Sequence, residues 1–292
     1  LKRLGFLLLL VPLGCAHGKP DIASLSSNSD RVIWEAAQKA LQGNQWDSAR
    51  QLCKRIIDGF PQSEFGPEAR LALAESYLKE GGTANYILAV AKYREFLTLY
   101  PSHPKSDYAQ FQAAEAYFRQ KNSPDRDQTS TQKALEEYQR LLDIYPSSSY
   151  VEPARTRIHD LRQGLAQSEF HAGYFYQKTR QAWRAAILRY EGILTDYPDY
   201  DRIDEVLFRL AECLGAAGRA PEALPHLNRL ISDYPQSAFV PPARKLMDLL
   251  QKAPAPPAPP SPAPSPSPAA SPPASPPPLA SPPPKVPPPG GP

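Results

Sequence analysis

Small and larger side chains recur along the middle of the chain at one fixed register. An alanine stands twelve residues before each of five prolines: Ala49 before Pro61, Ala89 before Pro101, Ala134 before Pro146, Ala186 before Pro198 and Ala223 before Pro235. Each proline follows an aromatic residue, as Phe60, Tyr100, Tyr145, Tyr197 or Tyr234. Four residues after each alanine comes Cys53, Tyr93, Tyr138, Tyr190 or Leu227. Residues four apart share a helix face, so the small residue admits a neighbouring helix and the larger one fills the space beside it. The proline ends that helix, because it steers the preceding residue out of helical geometry. A second helical pattern precedes each of these, over 34–42, 67–79, 108–119, 153–177 and 203–216. Pro67 and Pro153 stand where a first helical turn needs no N–H. Gly43, Gly81, Gly82 and Gly218 fall between helix pairs, where the chain must reverse.

A helix–turn–helix unit with Ala and Pro in this relation resembles the tetratricopeptide repeat. The resemblance implies an all-α fold, a superhelical solenoid of five units over residues 31–252, whose stacked units share one core. The unit spacings of 40, 45, 52 and 37 residues exceed the usual 34, so longer helices or inserted loops are expected.

The two ends read differently. Residues 1–15 begin with Lys2 and Arg3, continue through an apolar run too short to span a bilayer, and close on Gly14-Cys15, the pattern of an export signal. Leu13-Gly14-Cys15 resembles the lipobox of bacterial lipoproteins, with Pro12 where leucine is usual. That resemblance implies cleavage before Cys15 and its lipidation, with 16–30 as a polar tether. Ala16, in place of an aspartate, is compatible with the outer membrane. More than half of residues 253–292 are proline, with Ala and Ser filling most of the rest, a composition that builds no core and favours extended geometry.

Charge and candidate chemistry narrow the function. Thirty-three basic and 30 acidic residues balance to +3, and no long basic block suggests nucleic acid. The five histidines show no ligand spacing, and neither a zinc-hydrolase, a nucleophile-elbow nor a phosphate-cradling motif is present. No enzyme, metal or cofactor is expected. Cys53 and Cys213 are read as packed residues rather than partners of one another. Recurring Tyr77, Tyr117, Tyr176, Tyr93, Tyr138 and Tyr190 are read mostly as inter-helix packing, with a minority lining a peptide groove. Asp125-Arg126-Asp127 is read as a capped, salt-bridged loop in preference to a cation site.

The polar loop Asn122 to Gln128, the Tyr145-Pro146 phrase after it, and the run through Tyr174-Phe175-Tyr176, Ala182-Trp183 and Tyr197-Pro198-Asp199 together resemble the BamD family of outer-membrane assembly lipoproteins over roughly residues 30–250. Asp125, Arg126 and Asp127 are the most specific part of that likeness. The resemblance implies a non-catalytic scaffold, lipid-anchored on the periplasmic side of the outer membrane. Its implied partners are the BamA-type β-barrel insertase, through its periplasmic transport domains, and unfolded outer-membrane precursors. Other Bam lipoproteins fit the same setting. Units over 31–146 would meet precursor and those over 153–250 the insertase. The rival reading is a periplasmic repeat adaptor of Tol–Pal or division complexes, which typically has fewer units and often an amino-terminal coiled coil.

Overall fold

The phrases of aromatic residue and proline set the frame of the molecule. In the computed structural model, which describes residues 29–252, Phe60, Tyr100, Tyr145, Tyr197 and Tyr234 each end a helix with φ near −130° and ψ near 60°. That lies outside the helical region, which a following proline disfavours for the residue before it. Each donates its N–H to the carbonyl four residues back, at Ile56, Phe96, Leu141, Ile193 and Leu230. Each carbonyl then accepts from the residue three further on, Ser63, His103, Ser148, Tyr200 and Ser237, closing a turn around the proline. The five alanines and their partners at the fourth following position are all fully buried, and the five prolines are exposed.

Eleven α-helices result among the described residues: α1 (Asp30–Gln42), α2 (Trp46–Gly59), α3 (Gly66–Glu80), α4 (Thr83–Leu99), α5 (Ser106–Phe118), α6 (Thr129–Ile144), α7 (Val151–Phe175), α8 (Trp183–Asp196), α9 (Ile203–Ala216), α10 (Ala220–Asp233) and α11 (Val240–Lys252). They pack in chain order as five pairs, and α11 covers the last pair on its own. Pro67 and Pro221 occupy first-turn positions of α3 and α10. The glycines lie inside the units, between first and second helix, rather than between successive pairs. Gly81, Gly82 and Gly218 have φ of 79°, 88° and 74°, a region that favours glycine. Gly43 does not use it; its neighbour Asn44 does, at φ 54°.

Successive units are stapled by a contact absent from the sequence reading. The hydroxyls of Ser63, Ser148 and Ser237, in the turns that follow the first, third and fifth units, each donate at 2.6 Å to an aspartate in the first turn of that unit's first helix, Asp30, Asp107 and Asp204. The same serine oxygen accepts the N–H two residues on, from Phe65, Tyr150 or Phe239 at 3.1 Å. At the junction of the second and third units, His103 approaches Glu68 at 3.7 Å. At the junction of the fourth and fifth, Tyr200 donates to Gln167 at 2.5 Å.

The helix α7 explains the longest spacing. In α3 the buried residues divide by face: Ala69, Ala72 and Leu73 pack toward the first unit, Leu71, Ala74 and Leu78 toward the next. In α7 they divide along the length. Ala154 and Leu161 belong to the core with α5 and α6, whereas Ala166 and Phe170 belong to the core with α8 to α11. One continuous helix therefore joins two sub-arrays. It ends in a π turn, Tyr176–Arg180, closed by Gln181 in the left-handed region at φ 50°.

Candidate functional site

The surface richest in unusual side-chain chemistry is a series of guanidinium groups held against aromatic rings. Arg50 lies over Tyr77 at 4.8 Å, Arg94 over Tyr117 at 5.7 Å, and Arg157 over Phe118 at 4.3 Å. Farther along, Arg202 lies over Phe170 at 4.7 Å and Arg209 over Tyr174 at 5.6 Å. The aromatic member sits on α3, α5 or α7, the first helices of successive units. A carboxylate fixes each arginine from another side: Glu80 for Arg50, Glu137 for Arg94, Glu115 for Arg157, Glu205 for Arg202, and Glu212 with Glu205 for Arg209. Burial works against each guanidinium charge and hydrogen bonding to these carboxylates favours it, with the favourable side prevailing at all five.

Two of the carboxylates are buried hubs. Glu137 takes Arg94, Arg140 at 2.8 Å and the Gln110 amide at 2.7 Å. Glu115 takes Arg157 at 2.8 Å and the Tyr138 hydroxyl at 2.5 Å. Burial, then the Glu115 hydrogen bond, pushes the Tyr138 phenol far above its ordinary value. The arrangement is pre-organised: rings and guanidinium planes are locked before anything binds, so a ligand orders few side chains. Aromatic faces and planar N–H donors together suit an extended polypeptide with its own aromatic residues and free carbonyls.

The expected aromatics divide. Tyr93, Tyr138 and Tyr190 are fully buried packing residues, whereas Tyr77, Tyr117 and Tyr176 keep exposed edges. The arginines escaped sequence reading because they hold no common register. Arg50 directly follows a repeat alanine, Arg94 follows the larger residue Tyr93, Arg157 and Arg209 sit in first helices, and Arg202 precedes one at the N-cap of α9.

Asp125, Arg126 and Asp127 lie together in an exposed loop between α5 and α6. Asp127 caps α6, accepting from the Thr129 N–H at 3.3 Å and hydroxyl at 2.8 Å. The Asn122 amide donates to the Asp127 carbonyl at 3.0 Å. A hydrogen bond from Ser123 holds the Asp125 carboxyl below its usual range. The expected salt bridge is absent: the Gln128 side chain ties the loop instead, donating to the carbonyls of Ser123 and Arg126, and Arg126 pairs with neither aspartate. Among the described residues no group of three acidic, histidine or cysteine side chains is placed to hold a metal ion. Cys53 and Cys213 are free and buried, and burial raises both thiols to about 12. Cys15 lies outside the described residues.

A second surface lies where the two sub-arrays meet. Leu135, Gln139, Asp143 and Ile144 of α6 and Ile158 and Arg162 of α7 line a cleft of about 670 Å³. Sharing Gln139, Ile158 and Arg162, a smaller cleft of about 300 Å³ continues it toward His159 and Asp199.

The sequence profile of one family, described as outer membrane lipoprotein (YfiO), matches residues 26–219, two thirds of the chain. The chain belongs to the YfiO family of outer membrane lipoproteins. A tetratricopeptide-repeat profile also matches this family member, over residues 205–237. Similar curated proteins carry the name outer membrane protein assembly factor BamD. One, from Vibrio cholerae, is 28% identical over 67% of this chain and 82% of its own length. Another, from Caulobacter vibrioides, is 28% identical over 72% of this chain and 68% of its own. A third, from Haemophilus influenzae, is 27% identical over 70% and 80%. Among solved structures, the TPR2AB domain of yeast Sti1 aligns at a TM-score of 0.42 with 15% identity, covering 76% of this chain and 83% of that one. The helix pairs themselves, rather than that weak likeness, carry the fold assignment.

Proposed function

We propose that this YfiO-family lipoprotein is a non-catalytic scaffold of outer-membrane protein assembly. The observation that carries the reading is the family match over residues 26–219, together with relatives named as assembly factors across most of their own length. The work is non-covalent: one sub-array receives unfolded outer-membrane precursors and the other holds the β-barrel insertase through its periplasmic transport domains. A locked row of guanidinium groups and aromatic edges supports peptide capture, since the aromatic side chains that alternate along β-barrel strands match it. The division of α7 between two cores supports two partners held at once. Residues 1–15 act as the export signal and 16–30 as the tether. Cys15 carries the lipid that fixes the scaffold to the periplasmic face of the outer membrane.

Purification of the native protein from crosslinked membranes tests this. Recovery of a barrel protein with periplasmic transport domains, linked to residues within 153–250, is the expected result. Recovery of division or peptidoglycan proteins, with no such barrel under conditions that capture known membrane complexes, overturns it.

A further inference from the structure

The turn between α7 and α8 carries charge and aromatic surface that the packing of the array does not use. From Phe170 to Tyr190 the chain holds Lys178, Arg180, Arg184 and Arg189 and no carboxylate. Arg189 is engaged by Glu169 at 2.8 Å. Lys178, Arg180 and Arg184 are exposed, and among the described residues none of the three enters an ion pair. They differ from the five arginines held against aromatic rings, each of which has its carboxylate. Glu212 of α9 faces Lys178 across a cleft, but Arg209 and the Gln177 amide, both at 2.9 Å, already occupy it.

Apolar rings accompany the cations. Phe175 is 45% exposed, with the Arg180 guanidinium 5.6 Å and the Tyr176 ring 5.9 Å from its own ring. Tyr176 and Trp183 each rest one side on the core and leave the other free. The backbone is fixed in this presentation. The π turn brings Ala182 N–H to the Tyr176 carbonyl at 3.0 Å, and the buried Gln177 side chain accepts from the Tyr190 hydroxyl at 3.0 Å. The tip is therefore a rigid mixture of aromatic rings and long cationic side chains.

We propose that this turn contacts an anionic lipid surface. Aromatic rings with a polar edge settle at headgroup depth, and Lys and Arg bury their stems while their charges reach the phosphates. Membership of an outer membrane lipoprotein family places a bilayer within reach of the array. Two contacts, the lipid at the amino terminus and this tip, would set how the array lies against the membrane. The three cations together are expected to strengthen the contact about 100-fold at an anionic surface.

The test is a genetically incorporated, environment-sensitive fluorophore at Thr179 in the full chain, with a control fluorophore at Ser147, near the opposite end of α7. The chain is mixed with phosphatidylcholine vesicles, with or without phosphatidylglycerol, carrying a spin-labelled quencher. The expected result is a blue shift and quenching at Thr179, not at Ser147, that require phosphatidylglycerol. The triple variant Lys178→Gln, Arg180→Gln, Arg184→Gln, checked for an unchanged unfolding midpoint, should need about 100-fold more lipid. Equal signals in neutral and anionic vesicles, equal responses at the two positions, or no vesicle response at all overturns the proposal. A Thr179 probe silent with vesicles but shielded in native envelope membranes assigns the turn to a protein partner and overturns it equally.

Discussion

Tyr93 and Tyr138 hold the same position in adjacent units, and both are fully buried. The hydroxyl of Tyr138 donates to Glu115 at 2.5 Å. That of Tyr93 has no protein partner. The reason lies one helix away: Glu75 stands in α3 where Glu115 stands in α5, but Tyr108 of the next unit has taken it, at 2.6 Å. The substitution to phenylalanine should therefore have opposite consequences at the two sites. Tyr138→Phe removes a bond to a buried charged group and leaves Glu115 with Arg157 alone, costing about 2 kcal/mol. In an array of this length that lowers the melting temperature by roughly 4–8 °C. Tyr93→Phe removes a buried polar group that gains nothing, so its effect should be near zero or stabilising by up to about 1 kcal/mol. Urea unfolding followed by far-ultraviolet circular dichroism measures both, with an unchanged m-value required before the midpoints are compared. A loss at Tyr93 as large as that at Tyr138 would refute the argument, because it would show a partner for the Tyr93 hydroxyl.

Further expectations follow from single contacts. Gly173→Ala places a Cβ 2.8 Å from Cε1 of the buried Tyr190 ring, so it should destabilise by about 1–3 kcal/mol; an unchanged unfolding midpoint would show that the α7–α8 packing yields. Cys53 and Cys213, with thiols raised to about 12 by burial, should resist alkylation at neutral pH in the native protein and react fully in denaturant. Mass spectrometry of alkylated protein checks this, and rapid native labelling of either would contradict it. The Arg162 guanidinium holds the Asp199 carboxyl below its ordinary range. Its stabilisation is present above the unfolded carboxylate value near 3.9 and is lost as pH falls through the lower folded value. Asp199→Asn should thus shrink the loss of stability below about pH 4, and a pH–stability curve identical to that of the parent would count against it.

The sequence makes the second helix of every unit legible because its alanine, larger residue and proline obey one register. Those positions pack locally, and local packing leaves a short-period signature. The serine–aspartate staples are equally regular but span 33 or 41 residues, from Asp30 to Ser63, Asp107 to Ser148 and Asp204 to Ser237. No helical period reaches that far. The π turn was hidden for another reason: the helical pattern read over 153–177 stops inside it, and the close approach of Gly173 to Tyr190 and the reversal at Gln181 come from packing between helices. The Asp125-Arg126-Asp127 loop shows a limit of composition, since adjacent opposite charges suggested a pairing that the glutamine side chain makes unnecessary. The arginine–aromatic face was invisible because its members come from different helices and registers.

A helix whose two ends belong to different cores behaves as a connecting rod. At 25 residues α7 is about 37 Å long, and it transmits a push or pull along its axis with little change of length. Across its axis α6 braces one half and α8 the other, and a cleft lies between α6 and α7 beside Ile158. Arg162 and Gln163 tie its middle to the turn after α8, donating to the Asp196 carbonyl at 2.9 Å and the Asp199 carbonyl at 2.7 Å, so a shift of one sub-array is passed along the rod to the other.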